Sequence, residues 1–446
     1  MLNSDTKISA ILRESWSVSW PMILIMSYEF VIGITDVFVA GRFGKEAQAA
    51  YGLAFQLYFL FMIIAIALSV GTVAVVSRLF TSGKRDELGR AIHSSVVMSR
   101  AAGLLFSIPG ILGAGLLIGC LGVPAPLKPL AVPFMRIYAL GFLFDYLLIN
   151  SNAVLRSCGM AKRSLATMTI VCLLNVALNF LLALYTPLGF NGIAVAAVIS
   201  LCAGSMLNAA HMRKIDAAPG LFDRSVIKRI LTISWPSGVL QILWQAGAMA
   251  LFLIISLLPK ENVEVLAAFT NGLKIESAIF LPAFAFNMAN AVVVGNMLGR
   301  KDERGAFRGG LITAILGVSL VSVLTLVVIA NAGRIGALLS NDPVVVRECA
   351  RYMYIALLFE PVMAWGVILG GGLNGAGDTM TPMLGVGISI WALRLPLAYI
   401  LGVRCAIGAA AIWWAMNVSL TAQAVFISVK YFSRRWITDA ERVTVS

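Results

Sequence analysis

Charge is what this sequence has least of. Only 12% of its 446 residues are Asp, Glu, Lys or Arg, against 60% that are hydrophobic, whereas soluble domains carry about a quarter charged residues. That balance excludes an ordinary soluble enzyme or regulator and marks an integral membrane protein. Histidine is nearly absent. His93 and His211 both lie near basic loops, which leaves no His-rich constellation for zinc. The six cysteines (Cys120, Cys158, Cys172, Cys202, Cys349 and Cys405) stand singly without C-x-x-C spacing, which argues against a metal site or a disulfide framework. No Walker A string, nucleophile elbow or HExxH occurs, so ATP-driven transport and hydrolysis lack support. The chain therefore reads as a non-enzyme that needs no cofactor. Nothing before Ser17 resembles a cleavable signal, and the apolar run that follows is too long for a signal core, so the first span is expected to stay.

Long apolar runs, by contrast, are plentiful. Windows of about 20 residues or more fall at 17–40, 49–79, 91–120, 130–155, 164–186, 189–212, 231–258, 263–298, 309–333, 344–372, 380–402 and 405–431, which predicts twelve spans. With the N-terminus inside, the cytoplasmic segments hold 22 Lys and Arg and the opposite loops seven. The positive-inside rule then puts both termini in the cytoplasm of a cell-membrane protein, the inner membrane for a bacterial envelope. It also accounts for the net charge of +13. Spread over many loops without aromatic interleaving, these cations do not point to a nucleic-acid partner.

The spans repeat. Ser19-Trp20-Pro21 returns as Ser234-Trp235-Pro236, GKRDELGRA from Gly83 as GRKDERGAF from Gly299, and LRSCG from Leu155 as LNGAG from Leu373, in the same order and at offsets of 215–218 residues. Each echo lies an even number of spans from its partner, so the copies share an orientation and form a parallel repeat. His211–Arg229 is the natural join, with Pro219-Gly220 as its breaker. The expected architecture is an all-α integral membrane protein. Its twelve transmembrane helices form two parallel six-helix repeats, 1–215 and 216–446, around a central cavity.

Acids inside spans are the chemical signal, because an ionised carboxylate at the centre of a membrane helix costs ~2.5–3.5 kcal/mol even on lenient scales and usually faces a bundle interior or a wet cavity. Glu29 and Asp36 are seven residues apart, which places them on nearly one side of the first helix, ~10 Å apart along it. Asn175 and Asn179, four apart on one face, can orient an acid or simply pack amide against amide. Asp145 and Glu360 follow Phe144 and Phe359, and Glu276 lies in NGLKIESAIFLPAF. Acids beside rings suit an amphiphilic cation, whose charge meets the carboxylate while its body meets the ring face. Pairing with Arg136, Arg351 or Arg394 is the alternative for these acids.

The spacing Pro21, Asp36, Gly41, Gly44 resembles the first helix of the MATE (multidrug and toxic compound extrusion) antiporters. Val294–Gly305 is similar to the loop after that family's eighth helix, Leu373–Pro382 to its helix ten to eleven segment, and Asn175–Phe180 to its fifth helix. The resemblance covers about Arg13 to Phe432. It implies efflux of small organic, often cationic, amphiphiles in exchange for protons or sodium ions, by a chain working as a monomer among membrane lipids. It also implies coupling at Asp36, which matches the family's first-helix acid; by the residue reading above, Glu29, Asn175 and Asn179 are expected beside it, and Asp145, Glu276, Glu360, Phe144 and Phe359 in a substrate cavity. Two departures bear on the ion. Asn179 stands where the proton-coupled bacterial branch has Asp, and Met363 where the sodium-linked branch has an acid, with Glu360 about one turn away. A lone desolvated carboxylate can still exchange a proton, which favours the proton, with sodium at Asp36 the other reading. A flippase for lipid-linked precursors, from the same superfamily, is the competing transport function; it would want a strongly basic cavity.

Overall fold

The structure, a computed structural model, describes residues 4–120, 124–340 and 342–438. Within lipid every backbone N–H and C=O must find a partner inside the protein, and a helix satisfies them within one segment. All regular elements among the described residues are accordingly helical. Twelve of the helical segments are long and apolar enough to cross a membrane. In the first half these are α1 (Ser4–Gly41), α2 (Lys45–Thr81), α3 (Arg85–Cys120), α4 (Lys128–Ser157), α5 (Ala161–Leu184) and α6 (Asn191–Met212). In the second half they begin with α7 (Arg224–Ser256), α8 (Asn262–Gly299) and α9 (Glu303–Ala330).

The short α10 (Ala332–Leu339) follows, an element the apolar windows do not reveal. The tenth span is broken into α11 (Pro343–Ile355) and α12 (Glu360–Gly375) by a 3-10 turn, Leu357–Phe359. Pro361 explains the break: it has no N–H to donate, and its ring clashes with the carbonyl four residues earlier. The eleventh span runs from α13 (Met380–Gly387) through a π-helical stretch (Ile388–Arg394), the single turn α14 (Leu395–Leu397) and a second π-helical stretch (Ala398–Arg404). Pro396 sits between the two widened turns and removes an interior donor in the same way. The last span is α15 (Ala409–Phe432).

The sequence echoes are structural echoes. After α4, the Met160 N–H reaches the Leu155 carbonyl at 2.8 Å and Gly159 takes a φ of 71°. After α12, the Asp378 N–H reaches the Leu373 carbonyl at 2.9 Å and Gly377 takes a φ of 83°. Both are Schellman-type helix ends, in which the left-handed position favours glycine. Counted back from these turns, the counterpart of Asp145 is Met363, which is buried. Glu360 lies just under one turn earlier, on the first residue past the break.

Packing divides the chain into two compact units, Trp20–Trp235 and Met1–Ser19 with Pro236–Ser446. The dividing points fall at the two Ser-Trp-Pro strings, inside α1 and α7. In the C-terminal unit the first residues of α1 hold to α8 and α9: Arg300 grips Glu14 with two bonds of 3.1 and 3.2 Å, and the Thr313 hydroxyl donates to Ser15 at 3.0 Å. There, too, α8 and α12 touch backbone to backbone, since a Cβ on Gly371 or Gly375 would collide with the Asn287 or Ala291 carbonyl. Small residues at such seams let membrane helices approach closely. Asn287 and Asn290 of α8 then donate to the Val367 and Ile368 carbonyls at 2.6 and 2.7 Å. In the N-terminal unit the core amides bond to side chains instead. Asn208 donates to Ser151 and Asn152, and Asn150 links Thr72 to Ser95.

Candidate functional site

Asp36 lies in the N-terminal unit, 3% exposed, where α1 meets α2 and α5. The Tyr51 hydroxyl of α2 donates to its Oδ2 at 3.2 Å, and the Asn179 Nδ2 of α5 donates to its Oδ1. Tyr51 is fixed in turn by an edge contact with Phe134 (5.9 Å between centroids) and a stack on Phe55 (6.0 Å). No ion pair among the described residues involves Asp36. The Oδ1 atoms of Asn175 and Asn179 are buried without a hydrogen-bond partner. A carboxylate among neutral partners, with an unpaired carbonyl oxygen on the very amide that donates to it, can be neutralised in two ways. A proton on Asp36 would need an acceptor, which the amide oxygen supplies. A small hard cation would need oxygen ligands, of which the same groups offer several.

Glu29 is placed differently. The helical spacing sets it on nearly the same side of α1 as Asp36, but it is exposed and shares neither of Asp36's partners. Tyr51 and Asn179 cover the helix at the level of Asp36, whereas at Glu29 α1 faces a cleft of about 850 Å³ walled by Phe30, Ile34, Val37 and Phe38. Its electrostatic neighbours are Asp145 and Arg156 of α4. At the other end of the cleft Arg42 lies over the Phe38 ring at 4.9 Å.

Asp145, half-buried on α4, accepts the Tyr58 hydroxyl at 2.5 Å. Tyr58 stacks on Tyr138 (4.3 Å) and Phe142 (4.6 Å). Its aromatic surroundings are therefore these rings, and Phe144, though half-buried, is not in the stack.

The remaining acids lie in the C-terminal unit. Glu276 of α8 accepts the Tyr352 hydroxyl of α11. Glu360, 1% exposed at the start of α12, has an unpaired Oε2. Arg394, at the end of the first π-helical stretch, is 9% exposed, donates from Nε to Ser419 at 2.8 Å, and interacts electrostatically with both glutamates. Phe359 makes an edge contact with Trp414 at 6.1 Å. Of the cations weighed as partners for these acids, Arg394 is thus the one beside Glu276 and Glu360, while Arg351 pairs with Glu348 at 3.5 Å.

Three in-span acids, Asp36, Asp145 and Glu276, each accept a tyrosine hydroxyl. Sequence reasoning overlooked Tyr51, Tyr58 and Tyr352. The usable signal was that a tyrosine deep in an apolar helix needs a partner for its O–H. No cluster of three or more His, Cys, Asp or Glu able to hold a metal occurs among the described residues.

The family model MatE matches residues 21–181 and 236–400 of this chain, one match in each half. The probable multidrug resistance protein NorM of Thermotoga maritima is 22% identical, covering 92% of this chain and 89% of its own. The multidrug resistance protein PmpM of Pseudomonas aeruginosa is 24% identical over 99% and 96%. Among solved structures, a MOP superfamily transporter of Pyrococcus furiosus superposes with a TM-score of 0.88 at 18% identity, covering 97% of each chain. A MATE protein in complex with MaL6 gives the same TM-score and identity over 98% of each. With both halves matched and the twelve apolar helices in place, this chain belongs to the MatE family of multi-pass membrane transporters.

Proposed function

We propose that this protein is a secondary active antiporter of the cell inner membrane, with both termini cytoplasmic, that exports amphiphilic, often cationic, organic compounds in exchange for protons. Membership in the MatE family and the multidrug-resistance names of its relatives support efflux of small organic molecules. The coupling reading is carried by one observation: Asp36 is buried among neutral donors, and the amide that donates to it keeps an unpaired acceptor. Bound proton and bound substrate then favour different states of the chain, which is how a ligand moves a conformational equilibrium. Asn179 and Tyr51 position the carboxylate, and Asn175 adds a second amide oxygen on the same helix. The protein is proposed to work as a monomer.

Glu29 suits substrate rather than the ion, since it presents an exposed carboxylate to an apolar, aromatic-walled cleft in which the cation Arg42 is engaged by a ring. Such a surface fits an organic cation with an apolar body. Asp145 in the N-terminal unit, and Glu276 and Glu360 with Phe359 in the C-terminal unit, are further carboxylates and rings for substrate. Phe144, next to Asp145 in the chain, is a further ring for substrate.

The test is efflux from proteoliposomes under separately imposed gradients. Transport should follow an inward proton gradient in sodium-free medium and collapse with a protonophore. Transport that survives the protonophore and requires sodium would assign Asp36 to that ion instead.

A further inference from the structure

The first turns of α7 carry a stripe that the transport reading leaves unused. Arg224, Lys228, Leu231, Thr232 and Trp235 stand at positions i, i+4, i+7, i+8 and i+11, one face of a helix, and with Ser225 and Ile227 of the same helix line a shallow, open groove of about 690 Å³ along its flank. Leu231 is 46% and Trp235 50% exposed. Arg224 and Lys228 are exposed and enter no ion pair among the described residues. The nearest acid in sequence, Asp223, is engaged elsewhere. It accepts the Ser225 N–H at 2.9 Å and the Ser225 hydroxyl at 2.6 Å, bonds that hold its carboxyl below the usual range, and it faces Arg90 at 3.8 Å.

The stripe is graded along its length. Its two cations lie at the end where the polar connection meets the span, the Thr232 hydroxyl follows, and Leu231 and Trp235 lie deeper, where Ile230 opens the apolar run. Eleven residues of helix cover ~16 Å, enough to run from the headgroup level well into the hydrocarbon of one leaflet of a ~30 Å core. Basic residues at such a boundary are drawn to anionic headgroups, and the exposed apolar surface of Leu231 and Trp235 suits acyl chains. The α9 start carries Arg304 and Arg308 at the same four-residue spacing but no tryptophan.

We propose that this face of α7 is a binding site for one anionic phospholipid of the surrounding bilayer, its phosphate held by Arg224 and Lys228 and its chains laid along Leu231 and Trp235. A water-soluble phosphate compound would use only the outer half of the groove. The experiment is native mass spectrometry of the full chain released from neutral detergent, titrated with dioleoyl phosphatidylglycerol, dioleoyl phosphatidylcholine or glycerol 3-phosphate. Phosphatidylglycerol should be retained in preference to phosphatidylcholine, and glycerol 3-phosphate should not displace it. Near-surface basic residues contribute ~1 kcal/mol each, so Arg224→Gln or Lys228→Gln should each weaken the preference about 5-fold and the double variant about 25-fold. Arg224→Lys should keep it, which separates lost charge from lost fold. Trp235→Ala should weaken retention of both lipids. An unchanged preference in the double variant overturns the proposal. So does an equal loss in Arg304→Gln with Arg308→Gln, which would make the attraction a general surface effect, or displacement by glycerol 3-phosphate.

Discussion

The two packed units treat their buried acids in opposite ways. In the N-terminal unit Asp36 sits on an uninterrupted helix among a phenol and an amide, with no cation paired to it. In the C-terminal unit Glu276 and Glu360 share the field of Arg394, and the helices that carry Glu360 and Arg394 are broken or widened. Among the described residues no cation acts on Asp36, whereas Arg394 acts on both C-terminal glutamates through its field, with no ion pair to either closer than 4.0 Å. On the proposed reading, ion exchange belongs to the N-terminal unit, and the C-terminal acids have a charge balance of their own.

The sharpest way to break this comparison is to neutralise one acid in each unit. Asp36→Asn keeps a near-isosteric hydrogen-bonding group but cannot titrate, so gradient-driven efflux should fall to the level of empty vesicles while substrate still binds. Glu360→Gln should leave gradient-driven efflux measurable. Equal loss in both variants would erase the distinction between the units.

The next largest effect is expected at the fixed cation. Arg394→Gln leaves Glu276 and Glu360 without it, and breaking a buried charge arrangement costs about 3–5 kcal/mol. Thermal unfolding in detergent should show a clear loss of stability. The same change at exposed Arg304 should show little.

Smaller effects should follow from the positioning groups. A hydrogen bond to a charged acceptor contributes ~1.5–3 kcal/mol, so Asn179→Leu should slow coupled efflux about 10- to 100-fold. Tyr51→Phe, which removes the longer bond to Asp36, should slow it less. Tyr352→Phe, acting on Glu276, should alter substrate affinity before coupling, as read from drug-binding and efflux assays side by side.

Most of the architecture was legible in the sequence, because lipid demands long apolar helices and those announce themselves. The twelve windows lie within a few residues of the observed helices at most ends, with the largest extension at the start of α1. The Schellman turns were foreshadowed by LRSCG and LNGAG. The break before Glu360 was not, since Pro361 marks a kink without saying whether a helix bends or restarts. The π-helical turns around Pro396 were hidden for the same reason. At the site, residue types identified the acids but could not say which neighbour covers which. Glu29 and Asp36 share a side of one helix and differ in burial because Tyr51 and Asn179, distant in sequence, close over only one of them. Tyr58 and Tyr352 likewise find their acids only once the helices pack.

The most direct test of Asp36 as the proton-exchanging group is to count protons when substrate binds. Calorimetric titration of the purified protein in sodium-free buffers of different ionisation enthalpy separates proton release from binding heat. If proton and substrate compete through linked equilibria, the wild-type protein should release close to one proton per substrate bound below the pH of half-protonation of the free protein, and at most about half of one at that pH. Asp36→Asn should bind substrate and release none. The same release from Asp36→Asn would contradict the account, and so would the absence of release from the wild type across the working pH range.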